Sequence, residues 1–364
     1  MEPLRTVRQQ SGAYPVWLGR GLIPNLRSLI ETLPPHGDIA LLIGEGVAEA
    51  WGERLEAGLG TVAKTIVFPD SESRKTLSTV DDIITSLLEA GAKRDWLAVV
   101  AGGGTAGDTA GLAASIFMRG IRYVHVPTTL LAQVDSSLGG KLAVNHSLGK
   151  NLVGVFAPPA AVIADLDTLS TLPFRELRSG LYEALKGGVL GDRALFELME
   201  ENVDEISGGG HLEEVARRAI EVKIEVVQND EREGDRRRLL NYGHTIGHGF
   251  EAATAYVSLT HGDAVAWGMI AANALAVERK LIDDRVRDRI DRTILAYGAE
   301  QLPEIDADEV FEAIGHDKKF TGRKRVMVFP VEIGECRVFE DVSPAEIRRG
   351  IEIAIERSKE SRGE

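Results

Sequence analysis

The sequence predicts two domains of different class, an α/β N-terminal domain with a mostly parallel sheet over residues 1–172 and a mainly α-helical C-terminal domain over 173–364. Three observations carry this expectation. The chain has 364 residues, 44% of them hydrophobic, and single cores stop growing near about 250–300 residues. The first half alternates short apolar runs with helical patterns, as a parallel sheet covered by helices does. From "TLPFRELRSG" onward that alternation stops, and long amphipathic stretches take its place.

The strands follow in order. "YPVWLG" (14–19), "DIALLIG" (38–44), "TIVFP" (65–69), "WLAVVAG" (96–102), "RYVHVP" (122–127) and "AVIADL" (161–166) are short apolar runs with helical segments between several of them. The second half reads as helices at "RALFELMEENVDEI", "HLEEVARRAIEVKIEVVQ" and "HGDAVAWGMIAANALAVERKLI", and no strong strand signal returns before "RVMVFP" (325–330). The single cysteine, Cys336, falls in a strand-like "IGECRVFE" and is expected to be a packed residue, since one thiol makes neither an internal disulfide nor a thiolate cage. A formal charge of −14 argues against nucleic acid or an anionic membrane surface as partner. With no apolar run long enough for a membrane span and no secretory core in "MEPLRTVRQQ", the expected location is cytoplasmic.

The strand 96–102 runs into "GGGTAGDTAG", where Gly102, Gly104 and Gly107 satisfy G-x-G-x-x-G and a helix is expected to open at Gly107. Glycines let backbone N–H groups approach a pyrophosphate, and a helix N-terminus favours its charge, so the α/β half is the candidate dinucleotide-binding domain. A simple tight turn would use the same glycines. The acid usual about 20 residues later is absent, which implies a variant arrangement. Next, Thr128, Thr129, Asp135, Lys141, Asn145, Lys150 and Asn151 are interleaved with glycines in residues 126–154, a density of specific donors that suits a binding loop on a rigid scaffold.

Three of eight histidines, His244, His248 and His261, cluster in "NYGHTIGHGFEAATAYVSLTHGDAVAWGM". His244 and His248, four apart, share a helix face, and the glutamate of a zinc protease motif is missing between them. A carboxylate candidate is Glu183 in "SGLYEALKGG", one turn from Lys186. Glu183, His244 and His261 make one possible three-ligand metal set, leaving His248 for proton transfer or phosphate binding; spacing alone does not select it over His244 with His248.

These segments together, "GGGTAGDTAG", "RGIRYVHVPTTLLAQVDSSLGGKLAVNH", "GKNLVG", "LPFRELRSGLYEALK", "LLNYGHTIGH", "HGDAVAWGM" and "DKK", resemble the 3-dehydroquinate synthases in order and spacing, from about residue 14 to residue 340. The resemblance implies a homodimer that binds NAD in the α/β half and a divalent metal, zinc or cobalt, in the helical half. It implies a carbon–oxygen lyase of the shikimate pathway, in aromatic amino acid biosynthesis. Such an enzyme converts 3-deoxy-D-arabino-heptulosonate 7-phosphate to 3-dehydroquinate and phosphate by transient oxidation, phosphate elimination, reduction and intramolecular aldol closure. By matched position it implies Glu183, His244 and His261 as metal ligands. NAD contacts would come from Asp70, Glu72 and Lys75, from Gly103, Gly104, Gly107 and Asp108, from Thr128, Thr129, Lys141 and Lys150, and from Thr168, Leu169, Ser170 and Thr171. It places Asp135, Lys141, Lys186, Asn241 and His248 at catalytic positions. Substrate contacts are implied at Asn151, Lys223, Arg237 and one of Lys318 and Lys319, and Arg119 matches an arginine lent across the dimer. A substrate with a phosphate and a carboxylate needs that cationic shell.

The chain departs from the family pattern at several places: Leu142 after Lys141, Gly44 where an acid is frequent, Ser71 for glycine, Arg74 beside Lys75, and Gly187 after Lys186. Sister sugar phosphate cyclases that make inosose or valiolone precursors share the scaffold but tend to alter the "DSSLGGK" and "VNH" segments kept here. Iron-dependent alcohol and glycerol dehydrogenases resemble the architecture but would leave the cationic set without use. An inactive relative would be marked by lost metal ligands, and none is lost.

Overall fold

Ile39–Gly44, Leu97–Gly102 and Ala161–Asp165 are buried at nearly every residue, so neither face of these strands meets water and their sequences run apolar without alternation. The computed structural model describes residues 1–231, 234, 236–254, 258–315 and 325–361, and the chain divides into two units, Met1–Pro173 and Phe174–Glu364.

The first unit contains β1 (Arg5–Gln9), β2 (Gly12–Gly19), β3 (Ile39–Gly44), β4 (Lys64–Phe68), β5 (Leu97–Gly102), β6 (Arg122–Pro127), β7 (Lys141–His146), β8 (Gly149–Phe156) and β9 (Ala161–Asp165). Seven strands form one sheet in the order β1-β2-β9-β6-β5-β3-β4; only β1 runs antiparallel to its neighbour. Helices α1 (Leu26–Ile30), α2 (Glu45–Leu59), α3 (Leu77–Glu89) and α4 (Gly104–Ile116) cover it. Alternate residues feed two cores: Ala40, Leu42, Ala98 and Val100 pack in the cluster with Ile83, Leu87 and Ala110, while Leu41, Ile43, Val99 and Ala101 pack in the cluster with Leu26, Trp51 and Leu55.

Two expectations need correction here. Helix α4 opens at Gly104, with Gly103 as its N-cap, rather than at Gly107. Its glycines are there for close approach, so they do not mark where the helix begins. Part of the supposed loop 126–154 is the antiparallel hairpin β7–β8, whose Leu142 and Val144 are buried in the first of those cores. Ala143 between them is itself apolar, so the sequence shows no alternation there.

His125 on β6 is buried in this unit, 4% exposed, and burial holds its imidazole down to about 4. An unfolded histidine titrates near pH 6.5, so its neutral form contributes stability that is complete above pH 6.5 and is lost as pH falls toward 4. Urea unfolding should show wild type losing about 2 kcal/mol more than His125→Gln between pH 7 and pH 5. Equal losses would remove His125 as the source.

The second unit contains α5 (Phe174–Gly191), α6 (Arg193–Glu201), α7 (Val203–Ser207), α8 (Leu212–Asn229), a 3-10 turn at Arg236–Asn241, α9 (His244–Ala253), α10 (His261–Glu278), α11 (Asp284–Ala296) and α12 (Ala307–Gly315). The hairpin β10 (Arg325–Glu332) with β11 (Glu335–Val342) precedes α13 (Pro344–Glu360). Helix α10 is buried from Gly262 to Ala276, which makes it the centre of this unit, packed by α5, α9, α11, α13 and β10. Cys336 is buried, its thiol pushed up by burial and directed at the Val189 carbonyl oxygen. Among the described residues no helix is long and apolar enough to cross a membrane.

Candidate functional site

In the second unit, Glu183 and Lys186 lie one turn apart in α5, each 3% exposed, while His244 begins α9 and His261 begins α10. Glycines bring these helix ends together. A Cβ on Gly268 would lie 2.8 Å from the Gly247 nitrogen, and one on Gly247 would lie 2.9 Å from the Ala264 carbonyl oxygen, so the α9 and α10 backbones touch. Gly262 gives its Cβ space to α5, where Ser179 Oγ accepts from the Gly262 N–H at 3.0 Å. Thr260 caps α10 by accepting from the Asp263 N–H at 3.1 Å, and fully buried Asp263 accepts from Arg178 of α5 at 3.0 Å. The start of α10 is thus fastened to α5.

As a result, Glu183 Oε1 lies 3.6 Å from His244 Nε2 and 3.5 Å from His261 Nε2. His244 Nδ1 faces the Tyr242 carbonyl oxygen at 3.2 Å, and His261 Nδ1 faces Glu251 Oε2 at 3.4 Å. Oxygens at both Nδ1 positions turn each Nε2 toward Glu183, the arrangement that orients imidazole ligands. Glu183 Oε1 is buried yet accepts no hydrogen bond. An orphaned carboxylate oxygen between two imidazole nitrogens fits a zinc- or cobalt-type cation. The other carboxylate oxygen pairs with Lys186, whose Nζ also donates to the Leu240 carbonyl at 3.1 Å.

Electrostatics follow this geometry. Burial opposes the charge of Glu183, but Lys186, His244 and His261 hold it well below the usual carboxylate range. Burial and the Lys186 charge hold His244 well below 6.5, so it is neutral. His261, despite burial, is raised to about 10 by Glu251 and Glu183. A cation entering there must displace the His261 proton.

His248 stands at the edge of this group, its ring centroid 5.3 Å from that of His244 and its Nε2 4.0 Å from Glu251 Oε2. His248, Glu251 and His261 form a second cluster with metal-ligand spacing, but its His248 side chain is 43% exposed. Sequence reasoning misses Glu251, although it lies seven residues after His244 and three after His248 on one helix face. Of the cationic set, Lys223 and Arg237 are buried at 9% and 1% exposure, and Asn241 ends the 3-10 turn before α9. Lys318 and Lys319 lie outside the described residues.

In the first unit, strand β5 delivers Gly103 to the start of α4, where no side chain caps the helix. A Cβ on Gly103 would lie 3.1 Å from Thr129 Cγ2, and one on Gly104 would lie 3.1 Å from Ser136 Oγ. The buried hydroxyls Thr128 Oγ1 and Ser136 Oγ have no hydrogen-bond partner. Bare backbone N–H groups flanked by orphaned hydroxyls fit a pyrophosphate. Beside them, Lys75 Nζ contacts Asp108 Oδ2 and Asn151 Oδ1, each at 2.6 Å, and Glu72 accepts from Asn145 at 2.8 Å and Thr105 at 3.0 Å, with Lys150 at 3.5 Å. Burial raises Asp108 to about 6 against the pull of Lys75. Asn151 takes a left-handed φ of 53°, held by its N–H on Asn145 Oδ1 at 3.0 Å. Asp70, two residues beyond β4, accepts from the Gly46 N–H at 3.3 Å. Thr168 lies within the 3-10 turn Leu166–Thr171 and shares with Asp165 and Pro127 the amide of Gln133, a buried residue that sequence reasoning passes over. Asp135 and Lys141 flank the Gly139–Gly140 turn, and Leu169 is buried while Ser170 is exposed. Arg119 is exposed after α4 with a φ of 68°.

Comparison with known proteins decides the lineage. Residues 65–179 match the family model "3-dehydroquinate synthase N-terminal" and residues 180–320 match "3-dehydroquinate synthase C-terminal". The chain belongs to the 3-dehydroquinate synthase family. One family relative, the 3-dehydroquinate synthase of Pelotomaculum thermopropionicum, is 41% identical over 336 residues, 90% of each chain. Among solved structures, a 2-deoxy-scyllo-inosose synthase complexed with carbaglucose-6-phosphate, NAD+ and Co2+ superimposes with a TM-score of 0.86 at 29% identity, covering 97% of this chain and 99% of that one. A 2-epi-5-epi-valiolone synthase from Streptomyces hygroscopicus, with NAD+ and Zn2+ bound, gives 0.86 at 29%, covering 94% and 97%.

Two departures from the 3-dehydroquinate synthase pattern acquire physical reasons. A Cβ on Gly44 would lie 2.7 Å from Asp70 Cγ, so the Asp70 carboxylate occupies the space an acid at 44 would use. Leu142 fills space left open by Gly111 of α4, where a Cβ would lie 2.6 Å from Leu142 Cδ2. Gly187 meets no such demand, since a Cβ there would make only a 3.8 Å contact with Leu195.

Proposed function

We propose that this chain is a phosphate-eliminating carbon–oxygen lyase, converting 3-deoxy-D-arabino-heptulosonate 7-phosphate to 3-dehydroquinate in the shikimate pathway. The observation that carries the reading is Glu183, shared between His244, His261 and Lys186 in one buried cluster. A divalent metal, held by Glu183, His244 and His261, supplies Lewis-acid polarisation, and NAD, held at the start of α4, supplies reversible hydride transfer.

The chain's own residues bind and orient. Lys186, fixed at the Leu240 carbonyl, keeps a cation beside the metal ligands for an anionic substrate oxygen, and His248, whose Nε2 lies 4.0 Å from Glu251 Oε2, is the residue proposed for proton transfer or phosphate binding. In the second unit Lys223 and Arg237 are proposed substrate contacts, with the guanidinium suited to a carboxylate or phosphate. Asp70, Glu72, Lys75, Asp108, Thr128, Thr129, Lys150 and the Thr168–Thr171 turn are proposed to hold NAD. We also infer a cytoplasmic homodimer: Ile116 and Met118, exposed at 43% and 39%, precede Arg119 on a surface suited to a second copy.

The test follows phosphate release from 3-deoxy-D-arabino-heptulosonate 7-phosphate with catalytic NAD and zinc or cobalt, coupled to a dehydratase that reports the carbocycle. Release with 3-dehydroquinate, no NADH accumulation, and loss on chelation support the reading. Folded, metal-loaded protein that releases no phosphate refutes it. Turnover of sedoheptulose 7-phosphate instead would assign a sister cyclase.

The NAD site yields its own prediction. A Cβ on Gly107 would run into the buried His125 ring, 2.7 Å from Cε1. Gly107→Ala must shift α4 or expel the ring, so NAD affinity by fluorescence should fall about tenfold or more while metal content stays unchanged, overpacking of this kind costing roughly 1–3 kcal/mol. Unchanged NAD affinity would show that this approach does not shape the site.

A further inference from the structure

The imidazole of His244 rests on the carbonyl of Tyr242, and that carbonyl is fixed from two sides. On one side, the following residue, Gly243, takes a φ of 79° against α10, where a Cβ would lie 2.7 Å from Met269 Cγ and 2.8 Å from the Val265 carbonyl oxygen. On the other side, the Tyr242 hydroxyl donates to Asn273 Oδ1 at 2.5 Å, and Asn273 Nδ2 donates to Asp291 Oδ1 at 2.8 Å. Asp291 Oδ2 faces Arg357 at 3.8 Å, at a surface cavity also lined by Asp288, Arg292 and Leu295. Tyr242 and Asn273 are wholly buried and Asp291 is 5% exposed. Such a chain costs desolvation that apolar residues of the same volume would avoid.

We infer that Tyr242, Asn273 and Asp291 are positioning residues that set the ring of His244, a role that rests on the metal-centre reading of the proposed function. None of the three touches the centre. They hold the peptide whose oxygen receives the His244 Nδ1 proton, and partners of this kind change metal affinity by about 10–100-fold when removed.

The test compares Tyr242→Phe and Asn273→Leu with Tyr297→Phe, a control in the same unit whose buried hydroxyl donates to the Met199 carbonyl at 2.8 Å. Two quantities are measured on full-length protein: the imidazole 15N shifts of His244 in the metal-free state, and the Kd and visible spectrum of added cobalt. Tyr242→Phe and Asn273→Leu should move the His244 Nδ1 resonance, alter the cobalt bands and raise the cobalt Kd about tenfold. Tyr297→Phe should lower Tm without moving any of these. Wild-type shifts and cobalt affinity in Tyr242→Phe would overturn the inference, as would equal changes in Tyr297→Phe. If His261→Ala leaves cobalt binding intact, the metal centre is misassigned, and the metal-free His244 shifts still decide the positioning role.

Discussion

Replacing Glu183 with glutamine should strip the protein of tightly held metal and lower phosphate release by more than about a hundredfold, a larger effect than partners outside the ligand set produce. The amide keeps the size of the side chain and removes its charge. That charge serves three neighbours at once, the Nε2 atoms of His244 and His261 and the ammonium of Lys186. Lys186 is 3% exposed, so neutralising Glu183 removes the carboxylate charge beside a buried cation, a defect worth up to roughly 3–5 kcal/mol. Metal content after dialysis, Tm and turnover across a zinc titration should therefore all fall together. Full metal retention with normal turnover would exclude Glu183 as a ligand.

Gly262→Ala should separate helix positions that the metal set requires to be adjacent. The new Cβ would run into the Ser179 backbone, 2.5 Å from its Cα, and His261 is the preceding residue. Helix α10 must back away from α5, carrying His261 from Glu183 while Arg178 and Asp263 resist at 3.0 Å. Metal affinity should drop at least about tenfold, with a stability loss of roughly 1–3 kcal/mol typical of overpacking. Gly187→Ala provides the contrast on α5 itself: its Cβ makes only ordinary contacts, and removing an interior helix glycine adds about 0.5–1 kcal/mol. If both variants bind cobalt with wild-type affinity, the glycine contact does not govern the centre.

The sheet strands of the first unit were legible because a parallel strand buried on both faces must be apolar throughout, as in "DIALLIG" and "WLAVVAG". The hairpin β7–β8 was not, because Ala143 makes Leu142–Val144 a short unbroken apolar run and glycines interrupt β8, whose Val153 and Val155 are only partly buried against the core. Grouping of the histidines was visible; the choice among them was not. That choice depends on Gly247, Gly262 and Gly268, whose value lies in atoms they lack. Glu251 carries a readable helix-face spacing, whereas the Arg178–Asp263 pair joins residues 85 positions apart and leaves no local signal.

The pairing of Glu183 with Lys186 bears on how this protein acquires its ion. Metallo-domains whose ligands lack internal partners stay unfolded until the ion arrives. Here an ammonium already neutralises one oxygen of the carboxylate, and α10 is anchored to α5 by Thr260, Asp263, Arg178 and Ser179. The chain is therefore expected to fold before its ion is loaded. Chelation should be a reversible withdrawal from a standing receptacle, with far-ultraviolet dichroism unchanged between the stripped and refilled protein.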